Sequence, residues 1–115
     1  MIYKGSCHCG RISYEVEGEL GQVMECNCSY CSRNGYLLWF LPREKLKLKT
    51  PESNLATYTF NKHLIQHHFC STCGCAPFGF GAGPSGAPTV AVNVRCLEGI
   101  DLANLKRVAF DGRSL

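Results

Sequence analysis

The chain has 115 residues, 45% of them hydrophobic and 18% charged, with a formal net charge of +3. That length predicts one domain over residues 1–115, large enough to bury about 65% of the surface its unfolded chain exposes. Its longest apolar run, Tyr36 to Leu41, excludes a membrane-spanning helix.

The first residues, Met1-Ile2-Tyr3-Lys4-Gly5, carry no apolar stretch of the signal-peptide kind, so the expectation is a soluble, cytoplasmic protein. The basic residues are dispersed: Arg43, Lys45, Lys47 and Lys49 form the one run, with Glu44 and Glu52 within or beside it. Neither a nucleic acid nor a membrane is an expected partner. Nine cysteines form the outlying number. An odd count clustered as Cys-x-Cys and Cys-x-x-Cys points to metal chelation rather than to a disulfide framework. Metal binding requires thiolates. Seven thiolates and two Zn²⁺ together subtract three charges, which brings the +3 to about zero.

Gly5-Ser6-Cys7-His8-Cys9-Gly10 comes first, with two cysteines spaced to share one face of an extended segment. Arg11 to Glu17 alternates apolar and polar residues, the period of a half-buried strand. Gly18 to Gly21 breaks it, and Val23-Met24 leads into Glu25-Cys26-Asn27-Cys28-Ser29-Tyr30-Cys31. A single helical turn can start at Ser29, and Ser32-Arg33-Asn34-Gly35 reads as a turn. Tyr36 to Leu41, held between that turn and Pro42, predicts a buried strand. A short helical turn over Pro42–Lys45 and a strand with one wet face over Leu46–Lys49 follow. Leu55 to Phe60 is β-branched and aromatic, hence a strand, and Asn61-Lys62 ends it in a turn. Gln66 to Phe69 runs into Cys70-Ser71-Thr72-Cys73-Gly74-Cys75, which has the form of a zinc knuckle. Gly79 to Pro88 reads as a flexible connection, lacking the Lys-Ser/Thr ending of a phosphate loop. Thr89 to Val94 is a strand, Ile100 to Leu105 a helical turn, and Val108 to Phe110 a last short strand. With no long 3.6-residue period anywhere, the expected fold is all-β, built of antiparallel sheets stapled by zinc.

A tetrahedral four-sulfur site fits two chelating pairs brought together by the fold. Spacing permits several groupings, and the simplest joins Cys7 and Cys9 to Cys70 and Cys73. Cys26, Cys28 and Cys31 then form a three-thiolate claw that can hold a second ion and leave one position open. Cys75, Cys96, His8, His67 and His68 are the side chains that could close it.

Gly5-Ser6-Cys7-His8-Cys9-Gly10, Cys26-Asn27-Cys28-Ser29-Tyr30-Cys31, Phe69-Cys70-Ser71-Thr72-Cys73-Gly74 and Val92-Asn93-Val94 occur in that order. Together they resemble the glutathione-dependent formaldehyde-activating enzyme family, which includes the centromere-protein-V-like proteins, and the likeness runs over nearly the whole chain. The resemblance implies a β-tent fold with two Zn²⁺ per chain. It assigns Cys7, Cys9, Cys70 and Cys73 to a structural zinc, and Cys26, Cys28 and Cys31 to a catalytic one. It also implies a carbon–sulfur lyase of the S-(hydroxymethyl)glutathione synthase type, whose partners are the thiol glutathione and the small carbonyl compound formaldehyde. Cys75 and Cys96 fall outside the family pattern.

An open zinc position can stabilise a substrate thiolate, polarise a carbonyl and hold both reactants together. Three anionic sulfurs weaken the metal as a Lewis acid, so binding the thiol is its more natural role. The competing reading is a zinc-stabilised binding module with two structural sites and no catalysis. His67 and His68 are adjacent, so in a strand one faces inward; that one is read first as a structural histidine, with a general base or a hydrogen-bond partner of a metal ligand as the alternatives. Tyr30, Trp39 and Phe40 are candidate pocket walls, and Arg33 is a candidate partner for a substrate carboxylate. The oligomeric state has no signature in the sequence.

Overall fold

Alternating side chains lay out a small sheet in the computed structural model, which describes residues 1–114. β1 (Ile2–Ser6) and β2 (Ser13–Glu17) pair antiparallel, and β2 pairs in turn with β5 (Leu46–Leu48). Ile12, Tyr14 and Val16 all point inward and are buried, as their period requires. Gly5 lies opposite Tyr14, and a Cβ there would collide with the tyrosine ring.

The larger sheet has seven strands in the order β10-β3-β4-β9-β8-β7-β6. These are β3 (Gln22–Cys26), β4 (Leu38–Pro42), β6 (Leu55–Tyr58), β7 (Gln66–Cys70), β8 (Phe78–Ala82), β9 (Pro88–Asn93) and β10 (Lys106–Phe110). Single 3₁₀ turns occupy Arg43–Lys45 and Leu102–Asn104, where the sequence predicts helical turns. One hydrophobic core joins the sheets, with Tyr14 and Val16 from the smaller packed in the same cluster as Trp39, Phe78, Val90 and Val92 from the larger. Val90 and Val92 are fully buried; burying a side chain of this class contributes roughly 1.5–3 kcal/mol. No helix among the described residues is long and apolar enough to cross a membrane.

The chain is mainly β, as expected, with antiparallel pairing throughout except that β10 runs parallel to β3, with Phe110 beside Cys26. Two expectations need correction. Tyr36–Leu41 is not a uniformly buried strand: β4 begins at Leu38, and its alternation buries Trp39 and Leu41 while Phe40 stands exposed. Gly79–Pro88 is a connection only over residues 83–87. Its first part belongs to β8, which pairs with β9 from Phe78↔Val92 to Ala82↔Pro88. Glycine suits position 79, where a Cβ would crowd the Gln66 carbonyl oxygen of the neighbouring strand at 3.2 Å.

Candidate metal centre

Cys7 and Cys9 follow β1 of the smaller sheet, whereas Cys70 ends β7 of the larger and Cys73 lies in the turn beyond it. Their four sulfurs lie within 4.8 Å of one another. Cys9 Sγ stands 3.7 Å from Cys7 Sγ and 3.5 Å from Cys70 Sγ. Four sulfurs about 2.3 Å from a central zinc form a tetrahedron with edges of about 3.8 Å, so the spacing suits such an ion. Backbone N–H groups also serve thiolates here, Ile12 N donating to Cys7 Sγ at 3.3 Å and Cys73 N to Cys70 Sγ at 3.4 Å. Gly74 turns the knuckle with a φ of 83°. The Cys73 thiol is pulled down to about 5 by the backbone N–H groups of Cys75 and Cys9. The Arg11 N–H lowers Cys9, but desolvation and the sulfurs of Cys70, Cys7 and Cys73 together push it up to about 11. The Cys73 N–H lowers the Cys70 thiol as well, and a bound metal would draw off the remaining thiol protons.

The second set lies on one short stretch. Cys26 ends β3, Cys28 caps α1 (Ser29–Asn34), and Cys31 sits one turn into that helix. Cys31 N donates to Cys28 Sγ at 3.3 Å, and Gly35, left-handed at φ 66°, ends the helix. The three sulfurs lie within 4.8 Å of one another, and no fourth Cys, His, Asp or Glu among the described residues joins them. Desolvation raises the Cys28 thiol, but the Cys31 N–H and the neighbouring thiols outweigh it and lower the group below its ordinary value. Desolvation pushes Cys26 and Cys31 up. Cys28 therefore ionises first.

A C-terminal clasp closes over this claw, and the sequence gives no sign of it. Asn27 N donates to Phe110 O at 3.1 Å, Asn27 Nδ2 to Asp111 Oδ1 at 2.9 Å, and Arg113 N to Asn27 Oδ1 at 2.9 Å. Gly112 is thereby laid against the claw, where a Cβ would collide with Cys26 Sγ and come within 3.2 Å of Cys28 Cβ. Gly112→Ala is expected to weaken metal retention by the claw at least tenfold while leaving the melting temperature within a few degrees. Competitive chelation with a chromogenic dye measures the first effect and circular dichroism the second.

Beyond the claw lies a cleft of about 880 Å³. Cys26, Cys28 and Cys31 share its lining with Tyr36, Phe60 and His67. Tyr30 joins the aromatic residues beside the claw, its ring 4.4 Å from the His67 ring and 5.4 Å from Phe60, and Tyr36 OH donates to Tyr30 OH at 3.3 Å.

The remaining candidates divide clearly. Phe40 lines the cleft, but Trp39 is buried, edge-on to Tyr3 at 5.6 Å. His68 is the inward-facing histidine, packed between Thr57 and the rings of Phe78 and Phe80, while its half-buried neighbour His67 is the one in the cleft. Arg33 donates to Ser29 O at 2.8 Å within its own helix. Cys75 and Cys96 join neither sulfur set, and His8 is exposed. Cys96 lies near Asn93 Nδ2 and Ala76 O, and desolvation pushes its thiol up to about 11.

A family model described as glutathione-dependent formaldehyde-activating enzyme matches residues 2–107, a span that contains all seven clustered cysteines and stops short of Gly112. The chain is also similar to a Rhodobacter sphaeroides protein of known crystal structure. The TM-score is 0.78 and the sequence identity 32%, over 91% of this chain and 99% of that one.

Proposed function

Because the chain belongs to the glutathione-dependent formaldehyde-activating enzyme family, we propose that it is a zinc-dependent carbon–sulfur lyase. It joins a thiol to a small carbonyl compound, or parts them; glutathione with formaldehyde, giving S-hydroxymethylglutathione, is the reference pair. The observation that carries this reading is the contrast between the sulfur sets: one has four members, the other three and a cleft beside it.

On this reading Cys7, Cys9, Cys70 and Cys73 hold a structural zinc that ties the two sheets together, and Cys26, Cys28 and Cys31 hold the working zinc. Both donor sets suit the ion, being all sulfur and closely spaced. When bound in the claw, zinc supplies a site for the substrate thiolate and polarises a carbonyl oxygen.

The protein's own groups arrange the rest. The claw would hold the metal beside the cleft, and the cleft leaves space for two reactants side by side, the source of a proximity gain. In the forward direction a sulfur–carbon bond forms, the carbonyl π bond opens, and the proton lost by sulfur ends on oxygen. His67 is suited to hold that proton in transit. Desolvation, and then the neighbouring His68, lower its pKa, so the imidazole is neutral at pH 7. Replacing His67 with phenylalanine is expected to lower kcat on the order of 10²-fold, with both metal ions retained; steady-state kinetics and metal analysis test the two halves.

The reading as a whole is tested by magnetisation-exchange NMR with ¹³C-formaldehyde and a panel of thiols. Two zinc ions per chain and faster interconversion of free and thiol-bound formaldehyde are the expected results. No acceleration with any thiol, in protein holding two zinc ions, would leave a zinc-stabilised binding module in its place.

A further inference from the structure

We propose that the cleft beside the claw selects an apolar thiol, one bearing an aryl or alkyl group, over glutathione. This rests on the thiol-binding reading above and concerns the non-reacting part of the substrate.

The volume of about 880 Å³ suits a small molecule rather than a protein segment. Lys62 is the one Lys, Arg, Asp or Glu among the lining residues. The walls include Phe40, 48% exposed, Leu64, 75%, and Ile65, 49%. Side chains of this kind are left in water at an energetic cost that an apolar ligand removes. Gly79 and Gly81 in β8 add width without adding polar groups.

The nearby cations are engaged elsewhere. The Arg43 guanidinium sits 3.8 Å over the Phe80 ring and lines a separate cavity with Glu52 and His68. Arg95 Nε donates to Gly35 O at 2.9 Å, and Arg33 to Ser29 O. Glutathione would bring a pair of carboxylates and an ammonium into this cleft, with Lys62 as the one cationic side chain for the carboxylates and no carboxylate for the ammonium. A charged group that loses water without a partner is costly. An aryl or alkyl thiol meets none of these penalties and covers the exposed wall.

Cobalt-substituted protein tests the assignment through the thiolate-to-cobalt absorption band, which reads binding rather than turnover. Glutathione, 2-mercaptoethanesulfonate and 2-phenylethanethiol are titrated, with dissociation constants corrected for thiol ionisation. The expected result is at least tenfold tighter binding of 2-phenylethanethiol than of glutathione, equivalent to about 1.4 kcal/mol. Phe40→Ser should bring the ratio of the two constants towards one at unchanged cobalt stoichiometry; a ratio left intact removes Phe40 and its wall from selection and overturns the proposal. Glutathione binding as tightly as 2-phenylethanethiol overturns it too, while leaving the carbon–sulfur lyase reading in place. Silence from every thiol overturns both. A dimer in analytical ultracentrifugation that Phe40→Ser dissociates, without discrimination among thiols, assigns the cleft to a second copy of the chain instead.

Discussion

Replacing Cys7 with serine is expected to remove one metal ion and, with it, the folded state. Cys7 is buried in the hydrophobic core, where its sulfur accepts the Ile12 N–H at 3.3 Å and lies 3.7 Å from Cys9 Sγ. Serine offers a hydroxyl that stays protonated at neutral pH and makes a poor ligand for zinc. A structural zinc contributes roughly 10–16 kcal/mol in small zinc-dependent folds, and whole domains are stable by about 5–15 kcal/mol. Losing all of the metal's contribution therefore removes as much as the whole margin of such a domain. Thermal melting followed by circular dichroism should lose its cooperative transition, and metal analysis should show the first site empty. A variant that keeps two ions and melts within a few degrees of the parent would refute the structural role.

Cys28→Ser should do the opposite. One ion leaves, the fold stays, and turnover falls by about 10²–10³-fold or more, as for other losses of a group that stabilises developing charge. Cys28 is only half-buried and stands at the N-cap of α1, with its sulfur accepting the Cys31 N–H. Serine is among the preferred N-cap residues, so the helix keeps its cap while the metal loses a thiolate. The closed site is untouched, because Cys28 belongs to the other sulfur set. Mass spectrometry under native conditions should show one zinc per chain in a protein with the parental far-UV spectrum. Global unfolding of Cys28→Ser would argue that the claw is structural.

The contrast between these variants rests on features that the sequence carried unequally. The cysteine groupings were legible because chelating cysteines recur at fixed short spacings, and both groupings reappear as close sulfur clusters. β2 and β5 were legible because burial alternates with a period of two along each. β8 was hidden because glycine at 79 and 81 reads as loop composition, although Phe78 and Phe80 alternate with them as a strand requires. Phe40 was misplaced because an unbroken apolar run conceals which residues face solvent, and pairing with β9 settles that point. The parallel partner of β3 had no local signature at all, since β10 is contributed from far along the chain. For the same reason the open side of the claw was undecidable from sequence: whether Cys75, Cys96 or a histidine approaches it depends on distances that only the folded chain defines.

The clasp over the claw has a consequence for synthesis. Asn27 and Asp111 are 84 residues apart, and translation proceeds at about 5–20 residues per second. Cys26, Cys28 and Cys31 are thus made roughly 4 to 17 s before the segment that covers them. Throughout that delay β3 lacks the neighbour supplied by β10, and once the segment has left the ribosome its bare edge and three thiols face the surrounding solution. Loading therefore becomes a race, with ion capture on one side and oxidation or strand mispairing on the other.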